Sequence, residues 1–161
     1  MSYTQRAAVL NEPHQGAHTL YDPYNLQRFL EAQEAIYVGV CAELRAGRKV
    51  SHWMWFIFPQ ISGLGLSPTA QFYAIESREE ALAYLAHPVL GKRLMECVDL
   101  VNAVEGRTVH QIFGSPDDAK FKSCVTLFAQ VANMAHDPAV FEAALVKYFD
   151  GESDLRTLEK L

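Results

Sequence analysis

The sequence predicts an all-α fold, a single compact domain of about six or seven helices, and three observations carry this prediction. Apolar residues recur at helical spacing in several segments, one of which contains Leu90, Leu94, Val98, Val101 and Val104. Helix start signals, such as Ser77-Arg78-Glu79-Glu80, stand directly before such segments. No strands with alternating apolar and polar residues separate them. The pattern therefore favours helices packed on helices.

The first helix is expected to begin at Asp22 and to end at Gly47. Asp22 suits the capping position and Pro23 the first helical position. The apolar stripe comprises Leu26, Phe29, Leu30, Ile36, Tyr37, Val40 and Leu44. Residues 1–21 show little periodicity, so we expect a loosely ordered leader before a helical domain over residues 22–161.

The stretch HWMWFIFPQ, residues 52–60, is the aromatic segment of the chain. It is too continuous for an alternating strand and too short to show a helical period, and we favour a short helix that Pro59 ends. The glycine loop, QISGLGLSPT, follows it. Ser67-Pro68-Thr69 at the end of this loop is typical of a helix start.

The second half of the chain carries clearer helix signals. Ser77 opens one helix, Pro88 starts another that Gly106 ends, and TVHQIF is expected to form one short turn. Ser115-Pro116-Asp117-Asp118 supplies a cap, a first-turn proline and two acids, and Asp137-Pro138 starts a last helix. FDGESDLRTLEKL is expected to be a C-terminal tail.

Composition limits the function classes. The 14 Lys and Arg against 19 Asp and Glu give a formal net charge of −5, which disfavours nucleic acid and anionic membranes as partners. Cys41, Cys97 and Cys124 form no C-x-x-C pair, so we expect reduced thiols in the cytoplasm. No segment is apolar enough to predict a membrane span.

No metal site and no cofactor are predicted. His14 and His18 have i, i+4 spacing, but they lie in the leader, and the remaining histidines are scattered without zinc-ligand spacing. The sequence does not define an oligomeric state.

Several blocks in order resemble a known family. They are KVSHWMWFIFPQISGLGLSPTAQFYAI, AYLAHPVLGKRLMEC, IFGSPDDAKFKSCVTLFAQV and a late TL, spread from about Asp22 to Leu158. The chain resembles a small bacterial and fungal family of unassigned function, whose members are sometimes labelled calpastatin-like. A mycobacterial member is mainly helical, so the resemblance implies an all-α fold. It implies no catalytic residues.

The aromatic segment and the glycine loop together predict one wall of a pocket. A buried Trp ring N–H needs a hydrogen-bond partner, so two tryptophans are an awkward way to fill a core. We expect a small metabolite, partly anionic and partly planar like a nucleotide, with Trp53 or Trp55 stacking on it. Lys49 and the amides of Gly63 and Gly65 would hold its negative charge. Its orientation would depend on His52, Gln60 and Tyr73, with Lys120, Ser123 and Thr126 as further candidates from another helix.

Other interpretations stay open at this point. The rings would serve equally as core residues, and the glycines as a simple turn. The protein would be an enzyme if His52 acted as a general acid or base on such a ligand. It would be an interaction module if the aromatic rings formed an exposed patch for a partner protein.

Overall fold

The computed structural model describes residues 21–161, which form ten helices. They are α1 (Gln27–Glu34), α2 (Tyr37–Arg45), α3 (Met54–Ile57), α4 (Pro68–Phe72), α5 (Arg78–Ala86), α6 (Leu90–Asn102), α7 (Val109–Phe113), α8 (Asp117–Ala135), α9 (Ala139–Phe149) and α10 (Leu155–Glu159). The predicted leader, except for its last residue, and with it His14 and His18, lies outside the described residues.

The all-α class is confirmed, but the predicted number of six or seven helices is too low. The expected first helix is two helices, α4 follows the glycine loop, and α10 lies in the expected tail. Within residues 21–161 the strand-like pairing is confined to one parallel bridge between Ile61 and Ile75. No helix in this range combines the length and the apolar character needed to cross a bilayer.

The break between α1 and α2 explains one of the missed helices. The Asp22 carboxylate accepts hydrogen bonds from the amides of Leu26 at 2.8 Å and Gln27 at 3.0 Å, but α1 begins only at Gln27, because Asn25 has a φ of 50°. The expected helix start at Asp22 is therefore wrong. After Glu34 the backbone leaves the helix, and Ile36 has a φ of −117°. Both helices bury apolar residues in the same core, so the apolar stripe does not reveal the break.

The core is built around α8. This helix buries residues on most of its surface and packs against α5, α7, α9 and α10. The Phe121 ring lies 5.1 Å from Phe58 of the aromatic segment and 4.8 Å from Phe113, measured between ring centroids. Burying each such ring contributes about 1.5–3 kcal/mol, so the aromatic segment is anchored against α8.

Three hydrogen bonds hold α10 and the glycine loop in place. The Asp154 amide donates to Thr126 Oγ1 at 2.9 Å, and the Asp154 carboxylate caps α10 by accepting the Thr157 amide at 3.2 Å. The glycine loop is closed at its base, where the Ile75 amide donates to the Gln60 carbonyl at 2.8 Å. Both α10 and the glycine loop lie beside the first half of α8, where they line one cavity.

Pro116, rather than Ser115, occupies the N-cap position of α8. The expected cap at Ser115 is therefore wrong by one residue. Ser67 and Ser77 cap α4 and α5 as predicted, since each hydroxyl accepts an amide at 3.1 Å. The three cysteines are buried free thiols.

Candidate functional site

Trp53 is a core residue, which corrects its predicted stacking role. Its side chain is 2 % exposed, its ring N–H donates to Glu43 Oε2, and Lys49 Nζ lies 5.1 Å from the ring centroid. The partner that a buried indole needs is thus supplied by a carboxylate of α2. With so little of its surface exposed, the ring offers no extended face on which a ligand could stack.

Trp55 has the opposite environment. It is half-buried, and no residue of the described range accepts a hydrogen bond from its ring N–H. Lys120 Nζ lies 5.6 Å from its ring centroid, within the range of a cation–π contact. Trp55 lines a small cavity with part of its surface exposed, whereas Trp53 is almost fully buried at the wall of another.

Lys49 cannot hold a ligand's negative charge, contrary to the sequence-based expectation. Its ammonium group lies 2.9 Å from Asp117 Oδ2, and its side chain is only 7 % exposed. A buried ammonium and carboxylate in contact neutralise each other, and separating them would leave a desolvated charge. Lys49 therefore joins the aromatic segment to the start of α8.

His52 lines a cavity of about 400 Å³, which lies between α2 and the aromatic segment. The lining comprises Ala35, Ile36, Gly39, Val40, Glu43, Ser51, His52, Trp53 and Phe56. The His52 ring has no hydrogen-bond partner within residues 21–161, so no described carboxylate or hydroxyl orients it as a general acid or base.

The carboxylate in this cavity is already satisfied. Glu43 accepts the amides of Ser51 at 2.6 Å and Val50 at 3.1 Å in addition to the Trp53 ring N–H. Burial raises the pKa of Glu43, but these hydrogen bonds outweigh burial and lower the pKa below its usual range. The wall is otherwise largely apolar, so the cavity suits an uncharged apolar group better than an anion.

Most of the other predicted residues meet elsewhere, in what we term the cationic cleft. This cavity of about 220 Å³ is lined by Gln60, Leu64, Gly65, Pro116, Ala119, Lys120, Lys122, Ser123, Asp154 and Arg156. A small adjoining cavity shares Gln60 and Gly65 with it and adds Trp55 and Tyr73. The structure thus divides the single predicted pocket in two, with His52 in one cavity and the glycine loop in the other.

The two glycines of the loop have structural reasons to be glycine. Gly63 has a φ of +93°, which disfavours other residues, and a Cβ there would lie 2.9 Å from Lys160 Nζ. A Cβ on Gly65 would lie 2.5 Å from the Ala70 side chain. The turn interpretation accounts for both residues, and Gly65 also lines the cationic cleft.

Thr126 and Ser123 act through Asp154. Thr126 is fully buried, and its hydroxyl accepts the Asp154 amide, so it positions α10 and does not reach the cleft surface. The Ser123 hydroxyl lies 3.1 Å from both Asp154 Oδ2 and the Ala119 carbonyl. Ser123 thus helps to fix the carboxylate on the cleft wall.

Three charged residues of the cleft were not predicted from the sequence: Lys122, Asp154 and Arg156. Lys122 was one of several surface-type residues on α8, while Asp154 and Arg156 lay in the expected tail. The available signal was Asp154 standing before Leu155 and Leu158, a cap followed by helical spacing. It is weak, since both leucines are exposed.

Electrostatics distinguish this cleft from the larger cavity. Lys120, Lys122 and Arg156 oppose one lining carboxylate, Asp154, although Lys120 also lies 3.5 Å from Asp117. A concave surface with excess positive charge attracts small anions. Among residues 21–161 no group of three His, Cys, Asp or Glu side chains is arranged to hold a metal ion.

Together these features define a small all-α domain with a cationic cleft between the glycine loop, α8 and α10. The chain belongs to the family described as protein of unknown function (DUF1810), whose model matches residues 23–161. It is similar to the crystal structure of the conserved hypothetical protein Rv1873 from Mycobacterium tuberculosis, with 53 % identity and a TM-score of 0.84. That match covers 87 % of this chain and 98 % of the other. No functionally curated protein matches the chain.

Proposed function

We propose that this protein is a cytoplasmic binder of a small metabolite that carries an anionic group and a flat ring, as a nucleotide does, and that the ligand occupies the cationic cleft. The observation that carries the proposal is the meeting of Trp55, Gln60 and Gly65 with the cations of α8 and α10. These residues come from three separate parts of the sequence.

The anionic group of the ligand would be bound by Lys120, Lys122 and Arg156. Lys120 and Lys122 project from α8, and Arg156 from α10, toward one cavity. Lys120 keeps capacity for a ligand, because its contact with Asp117 at 3.5 Å is long and Asp117 lies closer to Lys49. Charge-assisted hydrogen bonds from such groups to phosphate are among the stronger polar contacts in proteins.

The flat ring is assigned to Trp55. Its ring is half-buried beside Gln60 and Tyr73, and Tyr73 is itself held by the Phe56 ring at a centroid distance of 5.2 Å. Stacking of a base on an aromatic side chain contributes about 1–3 kcal/mol. Gln60 offers an amide that donates and accepts hydrogen bonds at the edge of the ring.

The larger cavity fits such a ligand less well. Its carboxylate, Glu43, repels anions and already accepts three hydrogen bonds from the protein. The enzyme hypothesis lacks a described partner for His52, and the interaction hypothesis lacks its exposed patch, because Trp53 and Phe58 are buried while Trp55 and Phe56 are half-buried.

The test uses AMP with two fragments, adenosine and ribose 5-phosphate, in titrations followed by tryptophan fluorescence and calorimetry. AMP is expected to bind more tightly than either fragment, because only AMP engages both the ring and the cations. Trp55→Phe should abolish the fluorescence change, since Trp53 is enclosed.

Lys120→Ala should weaken AMP binding about tenfold, the effect of one hydrogen bond to a charged group. The matched control is Lys92→Ala, which removes an exposed lysine 3.9 Å from Glu96 and should leave affinity unchanged. Failure of AMP and of both fragments to bind the folded protein would refute the proposal, as would equal effects of the two lysine variants.

A further inference from the structure

Asp154 is an unusual member of a cleft that otherwise carries positive charge. Its Oδ2 atom accepts the Thr157 hydroxyl at 2.5 Å, the Thr157 amide at 3.2 Å and the Ser123 hydroxyl at 3.1 Å. Its Oδ1 atom has no hydrogen-bond donor within residues 21–161, although Lys122 and Arg156 line the same cavity. Oδ2 is therefore engaged by several donors, while no donor in the described part of the chain engages Oδ1.

The Oδ1 atom is held in a fixed place. The Asp154 amide donates to Thr126 Oγ1 at 2.9 Å, and both Thr126 and Thr157 are fully buried. An ionised carboxylate only accepts hydrogen bonds, so Oδ1 is complementary to a donor and repels a phosphate. A ligand that fits the whole cleft must accept hydrogen bonds from the cations and donate one to Asp154.

We propose that Asp154 accepts a hydrogen bond from a hydroxyl group of the ligand. The cleft would then bind a hydroxylated, ribose-type anion more tightly than its deoxy counterpart. This inference rests on the proposed function and narrows its substrate class. A carboxylate that accepts a sugar hydroxyl is a general means of recognising ribose in nucleotide sites. Asp154 is here a specificity-determining residue that contacts the ligand directly.

The experiment compares AMP with 2′-deoxy-AMP and 3′-deoxy-AMP by calorimetry on the full chain. Removing the hydroxyl that Asp154 accepts should weaken binding at least about tenfold, because the lost hydrogen bond is to a charged group. Asp154→Asn keeps an oxygen for Thr157 and Ser123 but puts an amide nitrogen at the Oδ1 position. It should bind all three nucleotides within about threefold of one another.

Asp150→Asn is the matched control, since Asp150 is exposed, lies at the end of α9 and has a φ of 55°, which asparagine tolerates. The Asp150→Asn protein should prefer AMP over the deoxy nucleotides to the same extent as the wild type. If Asp154→Asn does not fold, carboxyl-13C aspartate NMR on the wild type replaces it. The Asp154 resonance should move with AMP and move less with the deoxy form that binds weakly.

Three outcomes overturn the inference. If both deoxy nucleotides bind the wild type as tightly as AMP, no hydroxyl is read, while the proposed function stands. If Asp154→Asn keeps the discrimination, or the NMR resonance stays still, the hydroxyl is read elsewhere. If AMP does not bind the wild type, the proposed function fails and this inference fails with it.

Discussion

At the scale of single residues, the two tryptophans contribute in opposite ways. Trp53 is enclosed and donates to Glu43, whereas Trp55 is half-buried and its ring N–H has no acceptor among residues 21–161. We expect Trp53→Phe to lower the free energy of unfolding by about 3 kcal/mol, because it removes a hydrogen bond to a charged group and leaves a cavity. Trp55→Phe should lower it by less than about 1 kcal/mol. Urea denaturation of both variants checks this, and equal losses would contradict it.

The hydrogen bonds to Glu43 also predict a pH dependence. Burial raises its pKa, yet the bonds from Trp53, Ser51 and Val50 lower it below the ordinary value of about 4.3. A lowered folded-state pKa gives stability that is full above the unfolded value and is lost as the pH falls through the folded value. The stability that these hydrogen bonds provide is therefore lost below about pH 4.3.

Glu43→Gln should therefore flatten the fall in stability below about pH 4.3, measured by denaturation at a series of pH values. Glu34→Gln, which changes an exposed glutamate at the end of α1, is the control and should retain the wild-type fall. A Glu43→Gln protein whose acid-side fall equals that of the wild type would show that these hydrogen bonds do not hold the carboxylate in its charged form.

At the scale of helices, two glycines in helices provide a matched test of the packing. A Cβ on Gly91 in α6 would lie 2.0 Å from the Leu85 carbonyl oxygen of α5, whereas a Cβ on Gly39 in α2 would meet no atom of residues 21–161 within 4 Å. Gly91→Ala must push α5 and α6 apart and should lower the free energy of unfolding by roughly 3 kcal/mol. Gly39→Ala should raise the free energy of unfolding by about 0.5–1 kcal/mol, because alanine favours the helix.

Thermal unfolding with circular dichroism measures both alanine variants. The contact at Gly91 is between a side-chain position and a backbone atom, so a change of rotamer cannot relieve it. A Gly91→Ala protein as stable as the wild type would show that α5 and α6 are packed loosely enough to admit the extra methyl group. A destabilised Gly39→Ala protein would show that the cavity beside α2 is filled in solution.

The same scale explains what the sequence predicts and what it does not. Local signals predicted the starts of α4 and α5, since a capping serine acts on amides three residues away. The break before α2 and the helix α10 left weak local signals. The pairing of Lys49 with Asp117 left none, because it joins distant segments and depends on how α8 packs.

The candidate site follows the same rule. The residues that line the cationic cleft and its adjoining cavity and that the sequence pattern predicts are Trp55, Gln60, Gly65, Tyr73, Lys120 and Ser123. The same pattern predicted His52 and Lys49 in the same place, because residues close in sequence were expected to act together. The short helix α3 instead directs the start and the middle of the aromatic segment to opposite sides.

At the scale of the whole molecule, a positive cleft lies in an acidic protein. The chain has a formal net charge of −5, while three cations and one carboxylate line the cleft. Local attraction acts over about 10 Å at 0.1 M salt, so a small anion that enters the cleft is attracted by its cations. A long polyanion must also lie along the surface outside it, where the net charge is negative.

This arrangement predicts selection by size as well as by charge. AMP affinity should fall by roughly three- to tenfold between about 50 and 500 mM NaCl, because few charges are paired. A twenty-residue oligothymidine should not bind at about 100 mM NaCl, because the acidic surface opposes the long contact that single-stranded DNA needs. Fluorescence anisotropy of labelled oligothymidine measures its binding, and calorimetry measures the affinity for AMP. Oligothymidine binding with a steep salt dependence would mean that a basic surface outside the cleft outweighs the net charge, and the cleft would then be part of a nucleic-acid groove.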